Sequence, residues 1–126
     1  ADGLAFDVLR KLKIPTYILS TESNPVVGIR AKKLKVPVLQ GVANKFETLS
    51  QICTVRSYDL KKILFVGNDL NDFSVMKNCG FSACPSDSHP EIKKISQFKL
   101  KANGGDGIVR EILEDIFKLQ LLKYLE

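Results

Sequence analysis

The sequence predicts an α/β fold built on a parallel sheet. Two observations carry that prediction: strand-like segments alternate with helix-like segments of about ten residues along the chain, and the run "KKILFVG" is continuously apolar like a parallel strand covered on both faces. With 126 residues and 44% hydrophobic content, the chain has the size and apolar material of one domain, assigned to residues 1–126, with a two- or three-layer core.

Each element has its own signal. From Gly3 to Leu12, apolar residues recur at helical spacing (Leu4, Phe6, Val8, Leu9, Leu12), and "IPTYILS" then reads as a short buried strand. Asn24 followed by Pro25 is a helix start, a capping residue with proline at the first helical position. That helix carries Val27, Ile29, Arg30, Ala31 and Leu34 and stops before Pro37; "VPVLQG" is the next strand. A helix spans about Lys45 to Val55, "KKILFVG" follows, and after "NDLND" a helix runs to Cys79. "GFSACP" is a strand, Ser86–Ile95 holds a short helix with Pro90 near its start, and "FKLKA" is a weaker strand. "NGGDG" is a turn, and Gly107–Tyr124 is an amphipathic helix.

Composition excludes several functions. No apolar run approaches the roughly eighteen residues of a membrane span and no leader opens the chain, so a cytoplasmic protein without a membrane partner is expected. Cys53, Cys79 and Cys84 have neither an even count nor a C-x-x-C spacing, which reads as free thiols rather than disulfides or zinc. The net charge of +5 comes from lysine pairs spread along the chain, not from a basic stripe with interleaved aromatics, so no nucleic-acid partner is expected. A lone histidine, His89, stands before proline, which gives a Ser-His or Cys-His pair little support.

In a parallel sheet, ligands bind outside the carboxyl ends of the strands. Ser20-Thr21-Glu22, Asn44-Lys45 and Asn68 to Asp72 fall at three such ends. Alone, each has a plain structural reading: a strand end, a helix-start lysine, acidic caps favoured at a helix N-terminus. Together, a hydroxyl, an ammonium and an acid-rich loop suit phosphoryl transfer, which needs spreading negative charge neutralised and the group held in line. Magnesium takes hard oxygen ligands and keeps several waters, so one or two carboxylates suffice.

In their order, Ser20, Lys45 and "GNDLND" resemble the motifs of the haloacid dehalogenase (HAD) phosphatases. The stretches "DGLAFDVLRKLKIPTYILSTES", "LQGVANKFETL", "FVGNDLNDFSVMKNCGFSACPSDSHPEI" and "GGDGIVREI" look like the cap-less branch acting on 3-deoxy-octulosonate 8-phosphate and on 9-phosphates of nine-carbon sugar acids. That branch also supplies the C-terminal module of some acylneuraminate cytidylyltransferases. The resemblance implies a three-layer, Rossmann-like parallel sheet and a magnesium-dependent phosphatase assembled as a homo-tetramer. It implies that Ser20 binds a phosphoryl oxygen, that Lys45 bridges phosphate and nucleophile, and that Asn68, Asp69 and Asp72 form the Mg2+ site. Thr21, Glu22, Arg30 and Lys33 become candidate contacts to the substrate; Glu22, two places after the motif hydroxyl where octulosonate phosphatases tend to have Arg, leans towards a nine-carbon sugar acid.

Two departures qualify the resemblance. Asn68 stands where the family usually has a carboxylate. The family's D-x-D strand, with its nucleophile and acid/base aspartates, has no counterpart among these 126 residues. In the family's sheet that strand lies between the one bearing Ser20 and the one bearing Gly67, so this stretch is expected to be N-terminally incomplete and inactive by itself. The alternative is a non-catalytic assembly domain of a cytidylyltransferase.

Overall fold

The computed structural model describes residues 2–118. The chain runs α1 (Gly3–Lys11), β1 (Ile18–Leu19), α2 (Pro25–Leu34), β2 (Val38–Leu39), α3 (Lys45–Arg56), β3 (Leu64–Val66), α4 (Phe73–Asn78), β4 (Phe81–Cys84), α5 (Pro90–Ile95), β5 (Phe98–Lys99) and α6 (Ile108–Glu111). Single 3-10 turns occupy Leu60–Lys62 and Leu70–Asp72, and a π-helical turn occupies Ile112–Ile116. Two units divide these elements: Ala1–Ala43 with Gly105–Glu126, and Asn44–Gly104.

The first unit is organised by α1, which buries Ala5, Phe6, Val8 and Leu9. Val36 and Leu113 complete its core, and Leu12, Ile18, Leu34 and Val109 pack against it. Each buried Val, Leu or Phe side chain contributes about 1.5–3 kcal/mol relative to exposure. Leu4, expected on the buried stripe, is exposed, and Ala5 takes the inward position. β1 and β2 pair in parallel, with Ile18 opposite Val38 and Leu19 opposite Leu39. Asn24 caps α2 as its sequence predicts, its side-chain oxygen accepting from the Val26 N–H at 2.9 Å.

The two ends of this unit meet through Asp2, whose carboxylate accepts from the N–H groups of Val109 and Arg110 and so caps α6. Gly105 and Gly107 have φ of +83° and +86°, a backbone region where glycine meets no steric penalty, and this is how "NGGDG" turns into the helix. The expected helix from Gly107 changes character at Ile112, where Phe117 N–H reaches back five residues to Ile112 O. Residues 119–124 of that expected helix lie outside the described residues.

The second unit carries a parallel sheet in the order β3-β4-β5, with Leu64 opposite Phe81, Val66 opposite Ala83, and Ala83 opposite Phe98. Its buried strand is β4, where Ser82, Ala83 and Cys84 are all inside, rather than the more apolar β3. Among the described residues β3 pairs only with β4, and Leu64, Phe65 and Val66 are half-buried. Likewise β1 pairs only with β2. β1 and β3 are the strands expected to flank the absent D-x-D strand. Leu49, Val75, Met76, Ile92 and Leu100 fill the core as α3 packs on α4 and α4 on α5. Among the described residues no helix is long and apolar enough to cross a membrane.

The entry to β4 allows one residue type. A Cβ built on Gly80 would stand 1.6 Å from the carbonyl oxygen of Lys61, because Gly80 N–H bonds Leu60 O and the chain crosses that 3-10 turn in contact. Backbone cannot yield as a flexible side chain can. Gly80→Ala is therefore expected to lower the unfolding free energy by about 3 kcal/mol in urea denaturation.

Candidate active site

The apolar strand β3 ends at Gly67, and the chain then folds back on itself. Asp72, 2% exposed, returns its carboxylate to the start of the loop, where Oδ2 accepts from the N–H groups of Asn68 at 2.9 Å and Asp69 at 3.2 Å. Only glycine at 67 permits this, because a Cβ there would stand 2.6 Å from the Asp72 Cβ. Asp69 Oδ1 in turn accepts from Leu70 N–H at 2.7 Å, so Asp69 and Asp72 cap the turn reciprocally. A neighbouring loop steadies the far side: His89 N–H donates to Asn68 O at 2.9 Å. His89 itself is the N-cap of α5, its Nδ1 accepting from Glu91 N–H, which gives the lone histidine a structural role.

Lys45 opens α3 behind the capping residue Asn44, whose side chain accepts from Glu47 N–H at 3.0 Å. Its Nζ donates to Asp72 Oδ1 at 2.8 Å, and the lysine side chain is only 12% exposed. Asp72 is thus held by a charge-assisted bond on one oxygen and by two backbone donors on the other, so neither oxygen of this buried group is left without a partner. The ammonium keeps further N–H bonds for an anion at the loop.

The expected metal ligands divide. Both Asp72 oxygens are engaged by protein donors. Asn68 and Asp69 are exposed and offer an amide oxygen and a carboxylate. Among the described residues no cluster of three or more His, Cys, Asp or Glu is placed to hold a metal ion. One carboxylate and one amide oxygen at a strand end fit a magnesium ion that keeps waters and shares a phosphate.

The first unit holds the other expected residues. Ser20 directly follows β1, its N–H donating to Leu39 O at 2.9 Å, and its Oγ accepts from Glu22 N–H at 3.1 Å. A hydroxyl whose oxygen is occupied this way presents its hydrogen as a donor, the form suited to a phosphoryl oxygen. Thr21 and Glu22 are exposed on the same loop. Arg30 and Lys33 are also exposed, but they lie six and nine residues beyond Asn24 on α2, about 9 and about 13 Å along the axis. Lys33 borders a separate groove of about 540 Å3 with Gly3, Leu4, Asp7, Leu34 and Arg110.

Two of the thiols, Cys53 and Cys79, are poor nucleophiles. Burial, with Cys53 nearby, pushes the Cys79 thiol up to about 11, and burial with Asp59 nearby raises Cys53 as well. The residues that sequence reading missed are supports: Gln40, whose amide reaches the Ser20 loop, and His89. A polar residue directly after a strand was the available signal for Gln40.

The family described as haloacid dehalogenase-like hydrolase matches residues 10–112. The 3-deoxy-D-manno-octulosonate 8-phosphate phosphatase of Escherichia coli K12 is 31% identical over 114 residues, covering 90% of this chain and 61% of its own. The same enzyme of Yersinia pestis is 26% identical over 120 residues, covering 94% and 64%. The chain thus spans less than two thirds of the length of these relatives. The Moraxella catarrhalis 3-deoxy-D-manno-octulosonate 8-phosphate phosphatase, solved with magnesium, phosphate and KDO, superposes with a TM-score of 0.87 at 28% identity, covering 93% of this chain and 68% of that one. A structure assigned to the HAD hydrolases, from Streptomyces avermitilis, gives a TM-score of 0.86 at 39% identity, covering 90% and 69%.

Two outcomes follow from the site's chemistry. Asp72→Asn strands a buried ammonium and is expected to lower the unfolding free energy by about 3 kcal/mol or more, while the exposed Asp69→Asn changes it by less than about 1 kcal/mol, both read by urea denaturation. Alkylation of Cys79 by iodoacetamide, followed by peptide mass spectrometry, should be slow at neutral pH, rise about tenfold per pH unit and level off only near about 11, where the thiolate becomes the main form.

Proposed function

We propose, because this chain belongs to the haloacid dehalogenase-like hydrolase family, that it forms the phosphate-handling part of a magnesium-dependent sugar-acid phosphatase. The observation that carries the reading is the buried Lys45–Asp72 pair beside the exposed Asn68-Asp69 oxygens. A lysine oriented by a carboxylate, with its remaining N–H groups facing an anion, neutralises charge on a transferring phosphoryl group without rearranging during the reaction. Ser20 contributes its hydroxyl hydrogen to a phosphoryl oxygen. Thr21 and Glu22 meet the sugar acid, and Arg30, Lys33 and the net charge of +5 supply a field that draws an anionic substrate. The family match runs through both units, which supports treating residues 1–126 as one phosphatase domain.

Magnesium, held by Asn68 and Asp69 with water and substrate phosphate, would supply neutralisation of the phosphate charge. Asp72 is better read as the residue that orients Lys45 than as a ligand. Asn68 brings no negative charge, so the ion should be held less tightly than by a carboxylate at that position. The substrate class is the phosphate monoester of an eight- or nine-carbon sugar acid. The named phosphatase relatives favour the eight-carbon acid, and Glu22 is the residue that favours the nine-carbon one. The homo-tetramer is part of the same proposal. None of the named relatives is a cytidylyltransferase, and the assembly-only reading draws no support from them.

The nucleophile is an aspartate of a D-x-D pair, absent from these 126 residues, so this stretch by itself is proposed to be inactive. The test is phosphate release from a panel of C8 and C9 sugar-acid phosphates with magnesium, by a polypeptide that includes a D-x-D strand. Turnover is expected, and Lys45→Ala should reduce kcat by about 100- to 1,000-fold. Wild-type turnover in Lys45→Ala contradicts the assignment of that lysine, and no release from any substrate contradicts the phosphatase reading.

A further inference from the structure

Gln40, the residue after β2, lies across the junction of the Ser20–Asn24 loop with α2. Its Nε2 donates to Asn24 O at 2.7 Å and stands 3.5 Å from Glu22 O. The adjacent backbone joins the same loop: Gly41 N–H donates to Glu22 O and Val42 N–H to Ser20 O, both at 2.9 Å. Two carbonyl acceptors dictate which way the amide faces, so its Oε1 is turned towards α2. There it meets Gly28, where a Cβ would stand 2.8 Å from Oε1. Glycine is among the poorest residues for a helix interior, and at position 28 its lack of a side chain is what lets the amide lie flat.

We propose that Gln40 is a positioning residue: it clamps the Ser20–Glu22 loop, in the space Gly28 leaves, so that the Ser20 hydroxyl and Glu22 are preset for the phosphorylated substrate. The proposal rests on the phosphatase reading for its effect on turnover, not for the clamp itself. With the loop carbonyls fixed, Glu22 N–H stays on Ser20 Oγ, which leaves the hydroxyl hydrogen to donate to a ligand. A donor to a phosphoryl oxygen that is present before and during reaction binds ground and transition states alike, so its misplacement falls mainly on KM.

The clamp is tested by Gln40→Ala, Gln40→Glu, Gly28→Ala and the double variant Gly28→Ala/Gln40→Ala, in a polypeptide that includes the D-x-D strand. Gln40→Ala should raise KM by about five- to tenfold with kcat within about twofold, the scale of one lost hydrogen bond. Gln40→Glu, which sets a carboxylate against two carbonyls, should raise it more. Gly28→Ala should reproduce Gln40→Ala by pushing the amide aside, and the double variant should be no worse than Gln40→Ala, because the new methyl then meets nothing. An independent arm reads amide hydrogen exchange without substrate: the Glu22 and Gly41 N–H groups should exchange about tenfold faster in Gln40→Ala, with α1 unchanged. Unchanged KM in an active enzyme, or additive effects in the double variant, overturn the proposal. If the wild type releases no phosphate, the phosphatase reading fails, and the exchange arm alone decides the clamp: faster exchange retains it and unchanged exchange overturns it.

Discussion

The carboxylate of Asp72 is the constraint on which the second unit's site depends. It is almost wholly buried, and a buried charge is tolerated only when every part of it is answered. Lys45 answers one oxygen, and the N–H groups of Asn68 and Asp69 answer the other. The same three bonds fix the lysine's direction and the shape of the strand-end loop. One desolvated group therefore sets the Lys45 ammonium and the backbone of the Asn68-Asp69 loop at once, which is why a loop with exposed side chains can still be preorganised.

The first unit solves a similar problem with a neutral group. A strand-end loop has backbone carbonyls and N–H groups that no ladder satisfies, and Gln40 collects two of those carbonyls as Asp72 collects two N–H groups. Each device needs a glycine opposite it, Gly28 for the amide and Gly67 for the carboxylate, because the folded-back side chain occupies the space a Cβ would take. The polarity of each side chain suits what it must gather, since an acceptor-only carboxylate collects donors and an amide offers donors to acceptors. Ser20 and the Asn68-Asp69 pair sit on loops that follow strands, whereas Lys45 is the first residue of α3.

The helices were legible because their signals are local. Asn24 with Pro25 and Pro90 mark helix starts by chemistry confined to a few residues, and they stand at the starts they mark. Strand positions were legible and strand lengths were not. "IPTYILS" contributes only Ile18 and Leu19 to a ladder, because a strand is defined by its partner and β2 offers two facing residues. Lys61 and Lys62, which looked like the start of a strand, belong to a 3-10 turn capped by Asp59. In the site, Ser20, Lys45 and Asn68 to Asp72 stood out as polar clusters after strands. What no local pattern could show is that Asp72 closes onto Lys45, 27 residues away, rather than facing outward beside Asp69.

Lys45, held by Asp72, is set to receive an anion, and the proposed chemistry turns on that arrangement. A crystal structure of the D-x-D-containing polypeptide with magnesium and orthovanadate tests this most directly. The predicted result is a vanadate oxygen within about 3 Å of Lys45 Nζ while that nitrogen keeps its bond to Asp72. Vanadate bound away from Lys45, or a lysine that must leave Asp72 to reach it, contradicts the assignment.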